Sequence, residues 1–550
     1  MRKIAGRAER RGRRVPPTLK GFEDALRDRG HDGVAEALIS RHNQRMERIA
    51  GVGDMMQRIA IPLLTSYLPL SVAAEGLGAH SGRFPSHSGR TWVEHLAWGL
   101  DSTASAVRLL LSLQPIGASI IARTQMERWS SNLEFNTGVT QQSGEDTASW
   151  YIRLWSSPGA LPLNLSYTVG DLFGSMSELL HGRGPLMPLV WLDIEHINDA
   201  PSSEHVRLME VIADAVTVSL NHVHTGLLSA AHSKGREAMV QNIDSVPLIL
   251  PTDGWLPDLK ACIWPMVPTA FQQPAFEYQL GALASGRERV ASALRSNRKP
   301  AEPPELWPIL GFGSHRYRAL TTASVAFEYE RESLGDRFGS HSIEETETEA
   351  VLAGEMAAML ATWLREDPGS RSAADAFAVC ASALRSAEWL WLEDDSRGMG
   401  CLRCVIEQIA RARTWRRNPT RAAKIEGNPN STPRDWIEAA GLRRLNLLNR
   451  ALGEFAHGSA RANWNIAQDA LVALQKHAET DDHAKYTGRT HALKVSIFIV
   501  STECAAWVDS FDSPLGEAYR KVIRIDEAQA DRALEELMSR AWEKRGTPVR

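Results

Sequence analysis

Residues 177–183 read SELLHGR and residues 453–459 read GEFAHGS, so the pattern Glu-x-x-His-Gly is written twice. In the second occurrence Arg450 stands seven residues before His457. On one helix that is close to two turns, so the two side chains share a face about 10 Å apart in rise. A histidine that titrates near neutrality can take the proton of a ribose 2′-hydroxyl, and a permanently charged arginine can stabilise charge on the phosphate. Those are the two roles metal-free RNA cleavage needs. Glu454, three residues before His457, falls on the same face. The matching place before His181 is Gly174, so the first occurrence lacks the arginine.

A second pattern accompanies the first. Arg123 and Glu127 correspond to Arg403 and Glu407 at an offset of 280, and Glu178, His181 and Gly182 correspond to Glu454, His457 and Gly458 at an offset of 276. Each R-xxx-E is an i, i+4 ion pair in the less favourable order, and a histidine in the last turn of a helix is favoured by the helix dipole. Arg123, Glu127, Glu178, His181, Arg403 and Glu407 therefore also read as a buried structural network, because buried polar groups must be paired. A third chemistry fits the same letters. One Glu and one Glu-x-x-His from each half, Glu127, Glu178, His181, Glu407, Glu454 and His457, form the ligand set of a di-metal carboxylate bundle.

The elements that carry these residues are helices. Apolar residues recur at three- and four-residue spacing, with few alternating β-branched runs, and this predicts an all-α fold. Segments 91–113, 116–135, 166–182 and 205–231 read as four helices, the third closed by Gly182. Segments 375–393, 400–415, 434–458 and 489–511 repeat the order. The expectation is an internal duplication of a four-helix unit, with bundles at 90–235 and 366–515. A basic flexible arm (1–20) and a helical extension (21–89) precede them. A Pro-rich connector (236–365), irregular apart from a short helix near 276–298 and another over 342–364, joins them. A C-terminal helix within 516–550 closes the chain.

A helical unit with an R-xxx-E helix followed by a helix ending in His-Gly resembles the HEPN superfamily, in particular its uncharacterised bacterial branches. The resemblance covers roughly 90–231 and 372–511. It implies an all-α fold, bundles that pair as dimers, and metal-independent ribonuclease activity of the kind found in toxin and antiphage defence systems. By that pattern Arg450 and His457 are the catalytic pair, and Ala451 stands where active members place a polar residue. The resemblance also implies RNA as a partner, no cofactor and no metal. The alternative is a scaffold, as a tandem or a homodimer, that binds a partner protein or nucleic acid without cutting.

Charge separates the two halves. From Arg123 to His181 there are three basic and six acidic residues, and from Arg403 to His457 eleven basic and five acidic. The run ARARTWRRNPTRAAK (410–424) contributes Arg411, Arg413, Arg416, Arg417 and Arg421 around Trp415. Arginines beside an exposed aromatic ring suit phosphate contact with base stacking, so this stretch is the candidate nucleic-acid surface.

The bulk composition sets outer limits. At 550 residues more than one hydrophobic core is expected, and 43% hydrophobic with 23% charged residues is a globular balance. A net charge of −4 argues against a globally basic nucleic-acid binder. Five unevenly placed cysteines do not form a disulfide framework, and Cys401 with Cys404 is a lone CxxC without a second pair for zinc. The uncharged runs 59–74 and 215–233 are interrupted by prolines and histidines, so neither reads as a membrane span and a cytoplasmic setting is expected. No phosphate-binding P-loop, GxGxxG or GxSxG motif occurs.

Overall fold

The computed structural model describes residues 19–51, 54–78, 92–158, 165–195, 202–244, 262, 274–334, 343–391, 395–428, 431–446, 448–449, 452–453 and 481–522. Among them there is no strand, and the fold is all-α. The chain opens with α1 (Leu19–Arg27), α2 (Asp32–Ala50), α3 (Asp54–Thr65) and α4 (Tyr67–Gly76). Next come α5 (Trp92–Leu111), α6 (Pro115–Thr137), α7 (Thr147–Trp155), α8 (Val169–Leu180), α9 (Met187–Ile194), α10 (Ser203–Ser233) and α11 (Glu237–Asp244). The middle holds α12 (Pro274–Arg295), α13 (Trp307–Leu334) and α14 (Ile343–Arg365). The last group is α15 (Arg371–Leu390), α16 (Asp395–Arg417), α17 (Pro419–Glu426), α18 (Pro433–Ala439), α19 (Asp481–Asp509) and α20 (Ser513–Val522).

Local chemistry places the ends of the helices that matter for the site. α6 starts with Pro115 in its first turn and stops at Gly138, which is left-handed with φ +72°. α8 opens with a capping box, in which the Thr168 side chain accepts from Asp171 N–H and the Asp171 carboxylate accepts from the Thr168 backbone. α18 has the same device in Thr432 and Asp435.

In the first half α5 packs on α6 and α10, and α8 packs on α6 and α10. In the second, α15 packs between α14 and α16, and α19 lies against α14 and α16. The halves meet where α6 runs against both α15 and α16. A helix placed there needs apolar or small residues all round. From Pro115 to Ser130 every residue of α6 is buried except Arg123, and from Ala376 to Trp391 every residue at α15 is buried. Small side chains permit the close approach: a β-carbon on Gly117 would stand 2.6 Å from the Ser386 β-carbon.

Each half sends an arginine across this seam. Arg108 donates from Nη1 to the Trp389 carbonyl at 2.9 Å, its guanidinium 5.1 Å from the Trp389 ring centroid. Arg397 donates to the Trp98 carbonyl at 3.2 Å and to Ser102 Oγ at 2.9 Å, its guanidinium 5.7 Å from the Trp98 ring. One hydrophobic cluster runs from Phe22 to Tyr519 through both halves, with a small satellite around Leu68, Val290 and Leu310. The expectation of separate cores is therefore corrected: α6 and α15 bury on all sides and fuse the two interiors.

Three other expectations change. The helix predicted over 434–458 stops at α18, because Gly441 turns left-handed with φ +75° and Leu442 N–H reaches back to the Ile437 carbonyl at 2.9 Å. A 3₁₀ turn, Arg443–Leu445, follows. The connector contains the 28-residue α13, which starts one residue before the last proline of its cluster, Pro308, and then meets no breaker. Between the helices expected at 116–135 and 166–182, where no element was expected, lies α7, capped by Asp146 accepting from Ser149 N–H at 2.9 Å. The expected N-terminal arm and the helix expected at 525–546 lie outside the described residues.

Among the described residues one stretch, Ile59–Gly76, is long and apolar enough to cross a bilayer, and 78% of it is buried inside the protein. All five cysteines are free and buried. A charged cluster is buried as well. Arg385, with 2% of its side chain exposed, donates to Glu355 at 2.9 and 3.0 Å and to Asp193 at 2.7 Å, and Arg45 lies 3.4 Å from the same Glu355. This ties α2, α9, α14 and α15 together.

Candidate functional site at the seam

His181 follows the last residue of α8, and the next residue makes the site. Gly182 has φ +68°, a conformation that costs any other L-residue, and it closes the helix with Arg183 N–H donating to the Glu178 carbonyl at 3.0 Å. The missing side chain has a second use. A β-carbon on Gly182 would stand 2.5 Å from Nη1 of Arg411, which comes from α16 in the other half. That Nη1 donates to the His181 carbonyl at 2.9 Å. Gln408, one turn earlier on α16, donates to the Leu180 carbonyl at 2.6 Å. The free carbonyls at the end of α8 are thus capped by side chains from the second half.

Around this joint lies an open, mostly polar cleft, lined by His181 and Arg183 from the first half and by Glu407, Arg411, Glu426 and Trp436 from the second. Arg411 is held in a two-pronged ion pair, Nε to Glu426 at 2.8 Å and Nη2 to Glu426 at 2.6 Å. Glu407 is bound by Arg403 Nε at 2.7 Å. The His181 imidazole reaches solvent through the mouth of the cleft. The protein packed around it still lowers its pKa from the ordinary value, since the nearby Arg123, Arg183 and Arg411 work in the same direction and only Glu407 opposes them. At neutral pH it is an uncharged ring able to accept a proton.

The two R-xxx-E pairs form as expected, Arg123 with Glu127 at 2.9 Å and Arg403 with Glu407 at 2.7 Å. Arg123 also lies over the Phe173 ring at 5.1 Å. The expected network differs in one member. Glu178 is exposed and its carboxylate packs at Gly184, so His181 shares its cleft with Glu407 of the other half rather than with Glu178. Gly453, in the stretch between Arg450 and His457, places its α-carbon over Arg403, where a β-carbon would stand 3.7 Å from the guanidinium. Glu407 faces His181 of the first Glu-x-x-His-Gly across the cleft. Arg450, Glu454 and His457 themselves lie outside the described residues.

The candidate nucleic-acid stretch is largely turned inward. Arg411 is buried and occupied by Glu426. Arg416 grips Glu503 on α19 at 2.7 and 3.0 Å, and Arg413 lies 3.7 Å from the same carboxylate. Glu503 is wholly buried, which raises its pKa, while the arginines pull it down. Trp415, expected to be an exposed ring, is half-buried against the core. Arg417 and Arg421 remain exposed, with Lys424 beside them. The physical reason is that a buried carboxylate on α19 demands cations, and α16 supplies them.

For a metal, no group of three candidate ligands comes together among the described residues. Of the di-metal set, Glu127 and Glu407 are each held by their own arginine and Glu178 points away from His181. Cys401 and Cys404 are buried in α16, and burial pushes both thiols up. His222 is a core histidine, stacked on Trp129 at 4.7 Å, with its pKa lowered to about 4 by burial. Sequence reasoning missed Arg183, Gln408 and Glu426. Gly182 was the one available signal, since a helix-ending glycine leaves carbonyls for some distant donor.

No protein-family model, curated protein or solved structure matches the chain.

Proposed function

We propose that the chain is a HEPN-like helical protein whose two halves act as a bundle dimer within one polypeptide, and that it binds RNA and cuts it without metal through Arg450 and His457. The observation that carries this reading is the seam. The R-xxx-E helices α6 and α16 pack on each other, and the first Glu-x-x-His-Gly is delivered onto Glu407 and Arg411 of the other half. Further support comes from the exposed Arg417, Arg421 and Lys424. A cytoplasmic antiphage or toxin role goes with this proposal.

A second reading rests on a specific observation. Because Arg411, Arg413 and Arg416 are engaged by internal carboxylates, the basic run serves the fold, and the protein is then a scaffold for a partner protein or a second copy. The two readings separate in one assay. Purified protein is incubated with mixed RNA in chelator beside Arg450→Ala and His457→Ala. Loss of RNA in the parent alone supports cleavage; equal loss, or none, in all three removes it.

A further inference from the structure

The Arg411–Glu426 pair is an unusual occupant of an open cleft. Arg411 is fixed: its side chain is 6% exposed, and Nη1 is anchored on the His181 carbonyl. Glu426 is not fixed in the same way. It is the last residue of the eight-residue α17, Gly427 follows it, and its side chain is 26% exposed at the cleft wall. Its carboxylate occupies the planar fork of a guanidinium, and that fork accepts a carboxylate and a phosphate in the same geometry. A carboxylate that is only partly buried can be exchanged for another anion while Arg411 stays paired, so the exchange leaves no buried charge unmatched.

The rest of the cleft supplies donors that the protein itself does not use. Arg183 is exposed at the rim, and its guanidinium has no partner among the described residues. Ser431 also lines the cleft, with a hydroxyl that makes no hydrogen bond among those residues. Trp436 lines the cleft as well. The acids offer little opposition once Glu426 swings out, since Glu407 is neutralised by Arg403.

We propose that the seam cleft is a phosphate-binding site, in which the oxygens of a phosphate group replace the Glu426 carboxylate on Arg411 while Arg183 and the Ser431 hydroxyl complete the coordination. The proposal stands whether or not the protein cuts RNA. Its occupation touches both halves at once, through Arg183 from the first and Arg411 from the second. The phosphate can come from a free phosphate monoester or from an RNA backbone, and the chemistry of the cleft is the same for both.

Isothermal titration of the full chain with inorganic phosphate, adenosine monophosphate and a short single-stranded RNA separates the sources. Glu426→Gln removes the competing charge and should tighten binding about tenfold, whereas Arg183→Ala should weaken it about tenfold or more, each step being roughly one decade in Kd. Arg183 is exposed and Glu426 partly so, and circular dichroism checks that the variants are folded. Binding of the two small ligands with these opposite shifts supports a phosphate monoester as occupant. Binding of RNA alone with the same shifts supports the backbone. Absence of binding by all three ligands, or binding that neither substitution alters, overturns the proposal.

Discussion

Replacing Gly182 by alanine tests the joint between the halves through two costs that can be told apart. The first is conformational. At φ +68° an added β-carbon meets its own backbone, at a cost of about 1–2 kcal/mol. The second is specific to this place. The β-carbon would stand 2.5 Å from Arg411 Nη1, and Arg411 cannot simply move aside because Glu426 holds its other nitrogens. Losing its charge-assisted bond to the His181 carbonyl adds about 1.5–3 kcal/mol. Gly138 supplies the control: it ends α6 with φ +72°, and a β-carbon there would meet nothing within 4 Å. Urea denaturation followed by circular dichroism should show Gly182→Ala destabilised by about 1.5–3 kcal/mol more than Gly138→Ala. In an Arg411→Met background the excess should shrink toward zero, leaving Gly182→Ala with the backbone cost alone. Equal effects of the two alanines in the parent would refute the reasoning, since the packing of Arg411 on Gly182 would then carry no energy.

Arg385→Met strands Asp193 and leaves Glu355 with Arg45 at 3.4 Å, and should cost about 3–5 kcal/mol, whereas Arg434→Met, at a 78% exposed side chain paired with Glu438, should leave thermal unfolding essentially unchanged. Similar losses from both would sink the distinction. His42 and His222 titrate near 6.5 when unfolded and at about 4 in the fold, so between those values the unfolded chain binds the extra proton. Their contribution is therefore whole above pH 6.5 and declines as the pH falls toward 4, by about 1.4 kcal/mol each at pH 5.5. A melting temperature unchanged between pH 7.5 and 5.5 in the parent, or one that shifts just as much in His222→Gln, would contradict this. Gly99→Ala places a β-carbon 2.6 Å from Trp129 Cζ2 and 2.9 Å from a Val223 methyl, so overpacking of about 1–3 kcal/mol should outweigh the gain in helix propensity. A variant more stable than the parent would show that the Trp129 ring gives way.

Much of the architecture was legible because periodicity is local. The helix expected at 116–135 is α6, and the one expected at 205–231 is α10, since their apolar spacing survives whatever they pack on. The break at Gly441 was passed over because apolar residues continue in register on both sides of it, and only the left-handed glycine reveals the stop. The site was legible in one half of each contact. Gly182 announces a helix end, but nothing near it names Arg411, which lies 230 residues away from the His181 carbonyl it caps. The run 410–424 was misjudged for the same reason. A line of arginines looks like a solvated, ligand-seeking face until Glu503, 87 residues from Arg416, is found beneath it. Charge runs report demand for anions, and the anion can be the protein's own.

The buried cysteines turn the interior into its own reporter. Cys380, Cys401, Cys404 and Cys504 belong to α15, α16 and α19, and all four have raised thiol pKa values because burial opposes the thiolate. An alkylating reagent attacks thiolates, so these sulfurs are shielded twice, by exclusion from water and by the proton they keep. Their rate of modification measures how often the second half opens, without any label having been introduced. Comparing that clock in the presence and absence of a bound phosphate would show whether a ligand at the seam holds the whole half shut.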